Sequence, residues 1–215
     1  MKRKLSNDKK IRVLFQVVLV VLAFLGGLVF TAIFYKMAES DLDLRPTQVT
    51  GGWEIERKWL LDPENIPIDL ENEAVGIWEI KQTYLNFSPE IRVRDITERN
   101  GERYFILTVK SDMSVDGLIR NEKEWYITEE EYNHLLSKSE GNTIFKTRYR
   151  IDRDDLHYEF DIFHNQLTGL AYLEIEFTDE QVARDFPDPD FAIKDVTSDK
   201  RFKNQSLARY GKPQD

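Results

Sequence analysis

The stretch Trp53-Glu54-Ile55-Glu56-Arg57-Lys58-Trp59-Leu60-Leu61 decides how this chain is read. Alternate side chains of a strand point to opposite faces. Glu54, Glu56 and Lys58 therefore share one face, with Ile55 and Trp59 on the other. The same period of two recurs at 78–87, 91–97, 103–110, 119–127, 144–151, 156–163 and 170–177. Eight such segments between residues 53 and 177 predict a largely antiparallel sheet or barrel.

Helices are fewer. Thr128 with Glu131 forms a capping-box start, Tyr132, Leu135 and Leu136 supply an apolar stripe, and Gly141 stands where that helix should stop. Thr178 with Gln181 repeats the start signal ahead of Pro187, and a last helix is expected over 203–210, closed by Gly211.

Parity sorts the charges. Arg92 and Arg94 share a face, as do Thr108 and Lys110; so do Arg120, Glu122, Glu124 and Tyr126; Lys146, Arg148 and Arg150; Glu159 and Asp161; and Glu174 and Glu176. An ordinary sheet with one wet face also alternates in this way. Here, however, the polar face carries few Ser, Thr, Asn or Gln, and its charges come as like-sign pairs two residues apart. Such pairs are destabilising unless a counter-ion or ligand neutralises them. Paired carboxylates suit a hard divalent cation, and paired guanidinium and ammonium groups suit phosphate oxygens. A barrel holding both inside would grip a metal-bound polyphosphate.

The 215 residues carry a formal charge of −9, with 41% apolar and 32% charged side chains, which excludes a disordered or low-complexity chain. Residues 1 to 36 hold seven Lys and Arg against one acid, leaving 23 basic and 38 acidic residues in the remainder. So acidic a main domain argues against general nucleic-acid binding. With no cysteine, disulfides, thiolate nucleophiles and Cys-based zinc sites are excluded. The three histidines, His134, His157 and His164, lack paired metal spacing.

Residues 13–35 bear no formal charge, and as a helix would extend ~35 Å, enough for a membrane core of ~30 Å. Six basic residues between Lys2 and Arg12 precede this run. The expectation is a single-pass membrane protein, its N-terminus cytoplasmic and its main domain extracytoplasmic by the positive-inside rule. The domain plan is then a basic flank at 1–12, a transmembrane helix at 13–35, a linker at 36–52 and a folded domain at 53–211.

The opening Glu54-Ile55-Glu56-Arg57-Lys58 resembles the Glu-x-Glu-x-Lys signature of the CYTH domain, the superfamily of triphosphate tunnel metalloenzymes. In the family's order follow Gln82-Thr83-Tyr84-Leu85, Arg92-Val93-Arg94, Leu107-Thr108-Val109-Lys110, Arg120-Asn121-Glu122-Lys123-Glu124, Lys146-Thr147-Arg148-Tyr149, Glu159-Phe160-Asp161, Leu173-Glu174-Ile175-Glu176 and Asp199-Lys200-Arg201-Phe202-Lys203-Asn204. Thr83 and Ser111 replace common glycines, and Phe202 a usual tyrosine. The similarity spans about residues 53 to 208.

The resemblance implies an α+β fold, an eight-stranded antiparallel β tunnel with flanking helices, charged inside and apolar outside. It implies that Lys58, Arg92, Arg94, Lys110, Arg120, Lys146, Arg148 and Arg201 bind phosphate oxygens. Glu54, Glu56, Glu122, Glu124, Asp161, Glu174 and Glu176 would hold Mg²⁺ or Mn²⁺ or position water, with Lys146 and Glu56 in catalytic roles. The expected activity is metal-dependent hydrolysis of inorganic tripolyphosphate or a related triphosphate. The alternatives are an adenylate cyclase of the same superfamily and a non-catalytic polyphosphate-binding module.

Overall fold

The computed structural model describes residues 50–112 and 116–214. Nine strands occur among them: β1 (Thr50–Leu61), β2 (Gly76–Phe87), β3 (Glu90–Glu98), β4 (Arg103–Asp112), β5 (Ile119–Ile127), β6 (Glu140–Arg153), β7 (Leu156–Phe163), β8 (Ala171–Phe177) and β9 (Ala192–Asp195). The order β5-β4-β3-β2-β6-β7-β8-β1 closes on itself, because β1 pairs with β5 over Thr50–Ile55 and with β8 over Ile55–Leu61. The result is an eight-stranded antiparallel barrel, with β9 laid against the end of β1 outside it. Closure leaves the barrel strands no long unpaired edge.

The helices are short: α1 (Leu70–Glu73), α2 (Glu129–Leu136), α3 (Glu180–Asp185) and α4 (Asn204–Tyr210). The expected capping box starts α2: Thr128 accepts from the Glu131 amide, and the Glu131 carboxylate accepts from the Thr128 amide. α3 begins one residue later than expected, since Asp179 rather than Thr178 caps the Val182 amide. Gly141 ends no helix. It lies in β6 at φ 72°, where the Ala208 carbonyl would be 2.7 Å from an added Cβ, so only glycine admits α4 there. Gly211 closes α4 at φ 80°, as expected.

Outward-facing residues form the main core. Trp59, Phe160, Leu173 and Ile175 are fully buried with Phe177 and Ala183 beneath α3 and the 186–192 segment. Deleting a side chain such as Phe160 would cost about 3–5 kcal/mol. Val93 and Phe105 pack under Tyr132 of α2. A further cluster of Tyr84, Phe163, Tyr172, Phe202, Leu207 and Ala208 shuts one end of the barrel beneath α4. At the other end the inward positions of β2, β3 and β4 become apolar, at Ile80, Ile96 and Ile106.

The expected membrane anchor and extracytoplasmic placement need correcting. No helix among the described residues is long and apolar enough to cross a membrane. A span needs about 20 residues, whereas α2, the longest described helix, has 8. The flank at 1–12, the expected span at 13–35 and the linker up to residue 49 lie outside the described residues, and residues 50–52 belong to β1 rather than to a linker.

Candidate active site

β1 supplies Glu54, Glu56 and Lys58 to the barrel interior, and alternation carries Arg57 outward. Outside, Arg57 Nε donates to Asp195 Oδ2 at 3.0 Å and Nη2 to Asp188 Oδ1 at 2.6 Å, which fastens β1 to the C-terminal segment. The Lys58 amide donates to Thr197 Oγ1 at 2.9 Å, and Lys58 O accepts from the Val196 amide. The strand carrying three inward charges is thus held from outside at successive residues.

The interior encloses a polar cavity of about 230 Å³. Seven of the eight expected phosphate-binding residues line it: Lys58, Arg92, Arg94, Lys110, Arg120, Lys146 and Arg148. Arg201 does not. Its guanidinium is turned onto Asp199 by the 3₁₀ turn at Lys200–Phe202, and from this segment Lys203 and Asn204 reach the cavity instead. Sequence reading also passed over Gln82, Tyr84, Glu90 and Glu159 as lining residues. Their inward parity was a signal for all four, since Gln82 and Tyr84 share a face with Ile80, Glu90 with Arg92, and Glu159 with Asp161.

Of the expected carboxylates, Glu54, Glu56, Glu122, Glu124, Glu174 and Glu176 face the cavity. Asp161 does not. It is 0% exposed on the inward face, covered by Lys146 Nζ and by Arg148, which bind it, the latter through Nε at 2.7 Å and Nη2 at 2.8 Å. It thus does not border the cavity itself but pairs with two cations that do.

Most inward carboxylates are paired with inward cations. Lys58 Nζ lies 2.8 Å from Glu174, Lys110 Nζ 2.7 Å from Glu54 and also against Glu122, and Arg94 binds Glu124 while Arg148 binds Glu159. Among the described residues no three carboxylates stand close enough to hold a metal ion as they are. The expected metal donors other than Asp161 therefore line the cavity but are not gathered, since most of these acids are drawn to a neighbouring cation.

The electrostatics follow from this crowding. Burial, then Glu174 nearby, pushes the Glu56 carboxyl up to about 7 against the pull of Lys58. Glu176, its register partner across β1 and β8, is raised by burial and by Glu54 and Glu159. Two carboxylates facing each other in register ask for a cation between them. For Glu174 burial acts upward, but Lys58, Arg148 and Lys146 hold it well below the usual carboxylate range. Burial, then Arg148, lowers Lys146 to about 8 despite Asp161. Arg92 Nε and Arg94 Nε are buried donors with no hydrogen-bond partner among the described residues. Burying so many charges costs several kcal/mol per ion before pairing, so the interior is not built for stability.

No family model matches the chain. It is 36% identical over 156 residues to an inorganic triphosphatase of Nitrosomonas europaea, covering 72% of this chain and 96% of that protein. It is 31% identical to an inorganic triphosphatase of Acetivibrio thermocellus, covering 74% of this chain and 94% of that protein. The crystal structure of the hypothetical protein NE1496 superposes with a TM-score of 0.50 at 30% identity, covering 72% of this chain and 97% of that one. With its closed barrel and inward charges, the chain belongs to the inorganic triphosphatase family within the superfamily of triphosphate tunnel enzymes.

Proposed function

We propose that the barrel hydrolyses inorganic tripolyphosphate, or a related linear triphosphate, with Mg²⁺ or Mn²⁺. The observation that carries this reading is the set of buried, inward guanidinium donors, Arg92 Nε and Arg94 Nε, left without partners in a cavity lined by six further Lys and Arg side chains. A compact ligand bearing many anionic oxygens suits such a set. The likeness to the two inorganic triphosphatases points the same way.

Arg92, Arg94, Lys110, Arg120 and Arg148 bind and orient the phosphate chain and stabilise the charge that develops as the terminal phosphoryl group leaves. The inward carboxylates are hard oxygen donors of the kind Mg²⁺ and Mn²⁺ take, and Glu54, Glu56 and Glu176, at the facing pair, would hold such an ion. When bound, it would neutralise charge on the phosphate oxygens. Lys146, held by Asp161, orients the attacking water. The water oxygen bonds to the terminal phosphorus and the bond from that phosphorus to its bridging oxygen breaks. Pyrophosphate departs, and the water proton passes to Lys146 Nζ in its neutral form. Phosphorus-31 NMR of tripolyphosphate with the full chain and Mg²⁺ or Mn²⁺ tests the reading. Equal amounts of phosphate and pyrophosphate are expected, and no turnover with either cation overturns it.

A further inference from the structure

The inward face of β3 reads Arg94, Arg92, Glu90. Residues two apart on a strand are ~6.6 Å apart, so two cationic rungs are followed by an anionic one at the strand's first residue. Glu90 is 7% exposed and stands opposite Lys110 in the β3–β4 register. Its carboxylate oxygens lie 3.4 Å from Arg92 Nη1 and 3.7 Å from Arg120 Nη2. On β2 its register partner is Phe87, which packs onto the apolar cluster that shuts this end of the barrel. Glu90 thus sits where the cation ladder meets the closed end, and no step of the hydrolysis described above uses it.

We propose that Glu90 is a specificity-determining residue that sets the length of the phosphate chain. A linear triphosphate lies against the Arg94 and Arg92 rungs and ends at the Glu90 carboxylate. A fourth phosphoryl group would bring like charge onto that carboxylate, with the apolar end of the barrel behind it. Were Glu90 only a holder of Arg92, its loss would weaken the grip on chains of every length alike. The inference rests on the triphosphatase reading, and the two fail differently.

The test compares kcat/KM of the full chain for tripolyphosphate and tetrapolyphosphate, with Mn²⁺, in the wild type, Glu90→Gln and Glu90→Asp. The wild type should prefer tripolyphosphate. Glu90→Gln should raise the tetrapolyphosphate to tripolyphosphate ratio by about tenfold or more, the scale on which like-charge exclusion discriminates. Glu90→Asp, which keeps the charge, should retain the preference and keeps the test decisive if Glu90→Gln folds poorly. An unchanged ratio in Glu90→Gln, loss of the preference in Glu90→Asp, or a wild type indifferent to chain length overturns the length gauge while leaving the triphosphatase reading intact. A wild type that neither binds nor cleaves tripolyphosphate overturns both.

Discussion

The Asp161 carboxylate receives Arg148 in bidentate fashion, Nε at 2.7 Å and Nη2 at 2.8 Å, and binds Lys146 Nζ through one of the same oxygens. One acid with no exposed surface thereby fixes two cavity cations, on adjacent turns of the β6 pleat. Removing one partner of such a buried cluster leaves charge uncompensated. Asp161→Asn should destabilise the fold by about 3–5 kcal/mol, read from the urea midpoint. In the fraction that remains folded, kcat should fall because Lys146 and Arg148 lose their aim.

In the proposed hydrolysis Lys146 orients the attacking water, and burial beside Arg148 has lowered it to about 8. Lys146→Met should reduce kcat about 10²–10⁴-fold with a small change in KM, since general acid–base assistance acts in the transition state. Steady-state phosphate release separates the two constants. A change confined to KM would make Lys146 a binding residue alone.

Away from the cavity, Asp95 on the outer face accepts from Arg103 Nε at 2.8 Å and Nη2 at 3.1 Å, and from Lys81 Nζ at 3.0 Å. Burial opposes ionisation, but these hydrogen bonds and charges hold its carboxyl below the usual range. A depressed folded value means the contribution is full above the unfolded value of about 3.9 and is lost as pH falls through the folded one. The stability gap between wild type and Asp95→Asn should therefore be constant from pH 7 to about 5 and shrink below about 4. Urea melts across that range check it, and a gap that widened in acid would contradict the assignment.

Much of this was legible in the sequence because a closed barrel enforces strict alternation. The parity of Glu54, Arg92, Lys110, Arg148 and Glu174 assigned the face that became the cavity wall. Parity gives the face of Asp161 but not its depth, which is set by Lys146 and Arg148 covering it from the cavity side. Glu90 fell just outside the strand as read from Ile91, yet it is the first residue of β3. β9 and the contribution of Lys203 and Asn204 depend on long-range docking of the C-terminal segment onto β1, through Thr197 and Asp195. Arg201 lies outside the cavity lining for a local reason, a turn capped by Asp199 that pairs its guanidinium with that carboxylate. The apolar run at 13–35 lies outside the described residues, among which no helix is long and apolar enough to cross a membrane.

The central claim is that the inward charges form one site for a triphosphate and a divalent cation. Its most direct test is phosphate release from tripolyphosphate by the full chain as Mn²⁺ is raised, beside the Glu54→Gln/Glu56→Gln variant. The wild type should show saturable dependence on Mn²⁺ and lose activity in EDTA, and the variant should fall at least about 100-fold, as loss of metal ligands does. Equal rates in wild type and variant, or undiminished release in EDTA, would contradict the account.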